Sequence, residues 1–139
     1  MNSRKRDIVF EAKTEEPAVK PIPYKDVRQA LTHRDWILDR LPHLADREFS
    51  TVVVTQQFSL SNVAGGTVGD VFVAQPKTLV DLFDQASTVL GTIRDQARAL
   101  ASQELGDLVI QQFDEAGLDS ASILLKLTST RLDSLPRRD

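Results

Sequence analysis

The chain has 139 residues, of which 41% are hydrophobic and 27% charged, and its formal net charge at pH 7 is −3. These values are typical of a globular protein and exclude a globally disordered chain or a strongly basic nucleic-acid coat. The absence of cysteine excludes disulfides and thiolate metal sites, and no window approaches the roughly 18 apolar residues of a membrane span. We therefore expect a cytoplasmic protein, or one within a viral assembly in a host cytoplasm, with no membrane partner.

Residues 1–23 combine charged side chains with three prolines between positions 17 and 23, a composition that disfavours helices and sheet ladders. The segment is therefore predicted to be an extended or flexible arm. An apolar triplet, Ile8, Val9 and Phe10, interrupts it. Such triplets dock as an extended strand either on their own domain or on a partner, and the sequence leaves both open.

The next segment, from Tyr24 to Leu41, has apolar residues at helical spacing. Thr32 with Asp35 three residues later resembles a capping box, so two short helices are predicted to meet near Thr32. Pro42 then ends the helical region.

Two β-rich segments follow. Residues 49–60 are rich in β-branched and aromatic residues, with apolar side chains alternating on one face, and residues 68–74 resemble a returning strand. Asn62 to Gly66 supplies turn residues between them. The pattern predicts a β-hairpin near 49–74, whose apolar face must lie on the helices or on another subunit.

The stretch from Leu79 to Leu100 carries apolar residues separated alternately by four and three positions, a heptad seam on one side of a long helix. The seam consists of Leu79, Phe83, Ala86, Leu90, Ile93, Ala97 and Leu100. Such a seam either faces the core of its own domain or meets a second helix, which small residues such as Ala86 and Gly91 would allow to approach closely. Both interpretations remain open.

Local signals bound this helix and the two predicted after it. Pro76 fits the first turn of the long helix. Gly106 is predicted to break the chain, with Asp107 as a new N-cap, and Gly117 is predicted as the glycine that ends the second helix. Asp119 is predicted to cap the last helix.

The predicted fold is α+β and helix-dominated, with an extended N-terminal arm, short helices, one β-hairpin, and a long amphipathic helix followed by two shorter helices. Residues 24–133 are predicted to form a single globular helical domain that includes the hairpin near 49–74. Residues 134–139 are predicted to be a frayed tail.

Motifs for catalysis and cofactors are incomplete. His33-Arg34-Asp35 has the letters of a kinase catalytic loop without the other kinase motifs, and the glycines from Gly65 to Gly69 lack phosphate-loop spacing. His33 and His43 are ten positions apart, which does not suggest a metal site. The sequence therefore predicts no enzyme, no catalytic residues, no cofactor and no metal.

The basic residues Arg4, Lys5 and Arg6 offer an alternative function. A short cationic tail neutralises a few phosphates without reading base sequence. The alternative is thus a nucleic-acid-associated accessory protein that uses its N-terminal tail.

One resemblance concerns residues 69–127. The stretches that carry it are Gly69-Asp70, Leu79-Val80-Asp81-Leu82, Ile93-Arg94-Asp95-Gln96-Ala97-Arg98 and Leu124-Leu125-Lys126-Leu127. In order and approximate spacing this layout resembles the internal scaffolding proteins of small single-stranded-DNA phages. The resemblance implies a transient assembly factor that binds coat protein and has no catalytic residues.

The sequence favours a non-catalytic protein that interacts with or assembles other proteins. Its role would be structural, scaffolding or chaperone-like, and the alternatives include a viral protein. It would bind a protein partner, form a homo-oligomer, or both. The predicted partner-binding residues are Ile8, Val9, Phe10, Leu79, Phe83, Ala86, Leu90, Ile93, Ala97 and Leu100.

Overall fold

The computed structural model describes residues 6–13, 15–62 and 70–139. Arg4, Lys5, the predicted glycine turn and the first two residues of the predicted returning strand lie outside them. The elements in chain order are β1 (Arg6–Lys13), α1 (Tyr24–Arg40), β2 (Glu48–Thr55), β3 (Leu60–Ser61), β4 (Val71–Ala74), α2 (Pro76–Ala97), α3 (Ser102–Glu115), α4 (Ser120–Leu127) and β5 (Arg137–Arg138), with short 3-10 turns at Pro42–Leu44 and Leu132–Ser134.

The fold is mixed α/β, and the chain forms two compact units where the sequence predicts one domain. The sheet unit comprises Met1–Pro76 and Leu127–Asp139, and the helical unit comprises Lys77–Lys126. Within the described residues no helix has the length and apolar character needed to cross a bilayer.

The sheet unit is built on three parallel strands in the order β1-β2-β4, with β2 in the centre. Arg6 lies opposite Glu48, and Thr51 lies opposite Val71. The predicted β-hairpin is therefore wrong, because β2 and β4 run in the same direction and cannot be joined by a tight turn. Buried parallel strands have continuous apolar runs, and residues 52–54 of β2 are a buried run of three valines.

Part of the predicted N-terminal arm is folded. Residues 6–13 form β1 along the full length of β2. Farther along, Ile22 is fully buried, and its backbone N–H donates to the Ser59 carbonyl over 2.8 Å while its carbonyl accepts from Ser61 over 3.0 Å. These partners are distant in sequence, so the local density of charge and proline could not indicate them.

Helix α1 connects β1 to the parallel strand β2 as a βαβ unit. It is one helix of 17 residues, so the predicted break at Thr32 is wrong. The Thr32 hydroxyl instead donates to the carbonyl of Arg28, one turn earlier, over 2.9 Å. The buried residues Val27 and Ala30 on this helix belong to the same core as Val53.

The predicted frayed tail at residues 134–139 is also wrong over Arg137–Arg138. These residues form β5, which pairs in parallel with β3, and the Leu60 N–H donates to the Pro136 carbonyl over 2.9 Å. Just before them, Leu132 is fully buried in the sheet unit's core. Leu132 therefore completes a core that also contains Ile22 and Leu60.

The helical unit packs α2, α3 and α4 around a small core. Its buried residues are Val89, Ile93 and Leu118, and the partly buried apolar residues packed on them are Leu82, Ala86, Leu105, Val109, Phe113 and Ile123. The predicted break at Gly106 is wrong, because α3 runs through it. Helix α3 instead begins after Ala101, whose N–H donates to the Glu104 side chain over 3.0 Å.

Both predicted signals after α3 are confirmed. Gly117 has a φ of 67°, the Leu118 N–H donates to the Phe113 carbonyl over 2.8 Å, and the Gly117 N–H donates to the Asp114 carbonyl over 3.0 Å. This is a Schellman motif, closed by the apolar contact of Leu118 and Phe113. Asp119 then caps α4 by accepting the Ser122 N–H over 2.9 Å, and the hydrogen bonds from Ser122 hold the pKa of this carboxyl below its ordinary value.

The two glycines allow a matched prediction. An added Cβ meets nothing within 4 Å at either Gly117 or Gly106, so only backbone conformation separates them. Gly117→Ala is expected to destabilise the helical unit by about 1 kcal/mol, because an alanine is strained in the left-handed conformation of this position. Gly106→Ala is expected to stabilise it by up to about 1 kcal/mol within a regular helix. Urea unfolding followed by circular dichroism measures both, and equal effects of the same sign would contradict this.

Candidate functional site

Helix α2 carries an exposed apolar row beside the row that makes its core contacts. Val80, Phe83 and Leu90 are 55%, 72% and 56% exposed, and Ser87 lies between the last two. Their spacings of three, four and three residues place them along one side of the helix. We call these four residues the α2 outer face.

The predicted heptad seam is divided between this face and the helical unit's core. Ala86 and Ile93 pack in the core, where the contact row also includes Leu82 and Val89. Phe83 and Leu90 belong to the α2 outer face instead. Leu79 and Ala97 are half-buried in α2, and Leu100 is half-buried beyond its end.

The sequence pattern predicted one apolar row on α2, whereas the structure has two. The predicted heptad seam contains alternate residues from each of them. The missed residues, Val80 on the outer side and Val89 on the core side, mark the two rows. A count of apolar positions around the 3.6-residue period would have shown an apolar sector wider than one packing contact needs.

The charges along α2 differ between its two halves. In the amino-terminal half, Lys77 pairs with Asp81 over 2.6 Å, and Asp84 adds a further negative charge. In the carboxyl-terminal half, Arg94 pairs with Asp95 over 3.1 Å. Arg98, one residue after the helix, adds a further positive charge. The amino-terminal half of α2 thus carries a net negative charge, and its carboxyl-terminal end becomes slightly basic when Arg98 is counted with it.

The predicted triplet Ile8–Phe10 lies in β1. Ile8 is half-buried and Val9 is buried, whereas Phe10 is exposed. Phe10 and Trp36 help to line an open groove of about 510 Å³ between β1 and α1. Only one of the three residues therefore has a largely free side chain.

A charged cluster joins β1 to α1. Glu11 is only 7% exposed, and its carboxylate lies 2.7 Å from His33 Nδ1 and 3.3 Å from Lys13 Nζ. Lys13 also lies 3.7 Å from the carboxylate of the buried Asp26. Lys13 pairs with both carboxylates and His33 Nδ1 lies against Glu11, and we assign the cluster a structural role in fixing α1 against β1. Sequence reasoning missed it because its members come from two elements.

The remaining predicted features have little support in the geometry. Arg6 pairs with Glu48 over 2.8 Å, while Arg4 and Lys5 fall outside the described residues, so the nucleic-acid alternative stays a prediction. His43 is exposed in the 3-10 turn after α1, ten positions after His33. Among the residues that the structure describes, no three histidine or acidic side chains are grouped to hold a metal ion.

Comparison with known protein families, curated proteins and solved structures finds no match to this chain. The resemblance to phage internal scaffolding proteins therefore stays an expectation. What remains for assigning a function is the chemistry of the chain's own surfaces. Among the described residues, α2 has three exposed large hydrophobic side chains, Val80, Phe83 and Leu90, more than any other element.

Proposed function

We propose that this chain is a non-catalytic assembly protein that pairs with a second copy of itself through the α2 outer face. The observation that supports the proposal is the row of Val80, Phe83 and Leu90, exposed on a helix whose neighbouring row already packs in a core. Single exposed apolar residues are common on protein surfaces, but a continuous row of large ones is typical of an interface. Phe83 would be its central anchor, since aromatic side chains dominate the energetics of such contacts.

The occupant is argued from charge and from symmetry. A two-fold interface brings the same patch of two subunits together. In an antiparallel pair of α2 helices, the acidic amino-terminal half of one copy meets the slightly basic carboxyl-terminal end of the other, which is favourable. A parallel pair would place like charges side by side.

The antiparallel arrangement also fixes an approximate register. With Ser87 near the two-fold axis, Phe83 of each copy lies beside Leu90 of the other, and Val80 lies near Arg94. A small residue at the centre allows the two helices to approach closely. The apolar contacts are then concentrated on both sides of the axis.

This arrangement supports an assembly role without chemistry. The predicted Ile8–Phe10 contact is reduced to Phe10, which, with Trp36, offers a second apolar surface for a protein partner. A self-associating protein with a second binding surface can bring partner molecules together. The resemblance to phage scaffolding proteins points in the same direction.

The test is the mass in solution together with oxidative cross-linking. Light scattering across a concentration series should give a dimer, twice the 15.5 kDa chain mass. Because the chain has no cysteine, single cysteines report on orientation without background. Ser87→Cys should cross-link in a parallel pair or in the antiparallel pair centred on Ser87, whereas Val80→Cys should cross-link only in a parallel pair.

We expect disulfide-linked dimers from Ser87→Cys and no disulfide-linked dimers from Val80→Cys under the same oxidant. A monomer at every concentration would overturn the proposed function. A dimer in which neither variant cross-links would place the interface elsewhere on the chain and overturn the role of the α2 outer face.

A further inference from the structure

A polar cavity of about 430 Å³ lies at the amino-terminal end of the parallel sheet. All three strands contribute to it, through Arg6 at the start of β1, Ser50 in β2, and Phe72 in β4. Arg34 reaches it from α1. The cavity lies wholly within the sheet unit, so it is independent of the α2 outer face.

The ion pairs around the cavity use up its acidic groups. They are Arg6–Glu48 at 2.8 Å, Arg47–Asp7 at 2.6 Å and Arg131–Asp70 at 3.5 Å. In the first two, one arginine faces one carboxylate, whereas Arg131 also lies 3.3 Å from Asp133. The second pair is a close charge contact without hydrogen-bond geometry, since neither atom has a hydrogen-bond partner in the described residues.

Arg34 is the third arginine that lines the cavity, beside Arg6 and Arg47. Its Nε is buried, and within the described part of the chain it has neither a hydrogen-bond partner nor a salt bridge. A guanidinium stays charged at any physiological pH and presents its N–H groups in a planar fork. Burial of such a donor without an acceptor is unfavourable, so this side chain is arranged for an acceptor that a ligand would bring.

We propose that this cavity binds an oxyanion, with the Arg34 guanidinium as its principal donor. The fork of an arginine matches two oxygens of a phosphate or a carboxylate equally well. Phe49, Ser50 and Phe72 complete the lining. The ligand class is therefore a small phosphate or carboxylate.

The carboxylates of Glu48 and Asp70 also line the cavity and would repel an anion. Glu48 is held by Arg6, whereas Asp70 shares Arg131 with Asp133. Of the arginines that line the cavity, Arg6 and Arg47 each pair with a carboxylate, and Arg34 has no ion-pair partner among the described residues. Binding of an anion should therefore depend on Arg34, so a substitution of this one residue tests the proposal.

The experiment follows the Arg34 Nε–H signal by NMR while inorganic phosphate or sodium acetate is added, with sodium chloride at matched ionic strength as the reference. Arg34→Gln identifies the signal by its disappearance. The control is Arg40→Gln on the same helix, where the guanidinium lies over the Trp36 ring at 5.1 Å. Arg34→Lys keeps the charge and removes the fork.

A saturable shift of the Arg34 signal with phosphate, absent with chloride, is the expected result. Arg34→Gln should weaken phosphate binding by about tenfold or more, measured on the Ser50 amide signal, while Arg40→Gln leaves it unchanged. A shift with phosphate alone would assign a phosphoryl ligand, and one with acetate as well would assign the shared oxyanion chemistry. Equal shifts with chloride, or unaltered binding in Arg34→Gln, would overturn the proposal.

Discussion

Leu90→Asp is expected to leave the chain folded and to abolish its self-association. Leu90 is 56% exposed on the α2 outer face, so a carboxylate there remains in water in the monomer. In the proposed pair it would be buried against Phe83 of the second copy. An unpaired buried charge costs about 3 kcal/mol or more, which corresponds to a loss of affinity of roughly a hundredfold.

Two control variants on the same helix separate association from folding. Gln85→Asp adds the same charge at an exposed position off the α2 outer face, and should change neither property. Ile93→Asp places it in the helical unit's core, where Ile93 is buried with Val89 and Leu118, and should unfold that unit. Light scattering measures association and circular dichroism measures folding.

The pattern across the three variants is the test. A folded Leu90→Asp protein that still dimerises with wild-type affinity would contradict the interface. Loss of association in Gln85→Asp as well would mean that net charge alone, rather than the apolar contact, determines the oligomeric state. A loss of association in a folded Leu90→Asp protein, with Gln85→Asp unaffected, supports the α2 outer face.

The helical unit could be predicted well from the sequence because its signals are local. Pro76 at a first turn, Gly117 with positive φ and Asp119 as an N-cap each act within a few residues of their own position. Gly106 failed as a predicted break because a glycine in a helix is only unfavourable, not forbidden. The actual break, between Ala97 and Ser102, depends on the Glu104 side chain reaching back to Ala101.

The sheet unit could not be predicted in the same way because its partners are distant in sequence. The continuous valines of β2 indicate a buried strand, but they do not identify which segments of the chain pair with it. The pairing of β1 with β2 joins residues 42 positions apart, as the Arg6–Glu48 contact shows. An apolar triplet in a charged, proline-rich segment gives the same pattern whether it pairs within its own sheet or with another chain.

The α2 outer face could be predicted only in part, because its exposure also depends on residues distant in sequence. Periodicity identifies which residues share one side of a helix, but it does not identify what covers that side. Phe83 and Ile93 belong to one predicted seam, and only tertiary packing separates the exposed member from the buried one. The Arg34 cavity gave no sequence signal, because it is assembled from the ends of three strands and one helix.

Leu132→Ala is expected to destabilise the sheet unit by about 2–5 kcal/mol, the usual cost of emptying a fully buried leucine site. Leu132 is 0% exposed and packs in one core with Ile22, Leu60 and Val71. Because domains are stable by only about 5–15 kcal/mol, the change would remove a large share of the total. Chemical unfolding of both proteins measures it, with Leu125→Ala as the control at a leucine that is 71% exposed.

Hydrogen exchange shows whether the loss arises where the structure places it. The Val73 N–H donates to Thr130 and the Leu60 N–H donates to Pro136, so both amides are protected only while the C-terminal segment is docked. In Leu132→Ala these two amides should exchange faster, because the side chain that anchors the segment is gone. Amides in the helical unit, such as that of Ile93, should be unaffected. Fast exchange of Val73 and Leu60 in the unaltered protein would instead mean that the tail is frayed after all, and Leu132→Ala would then cost no more than Leu125→Ala.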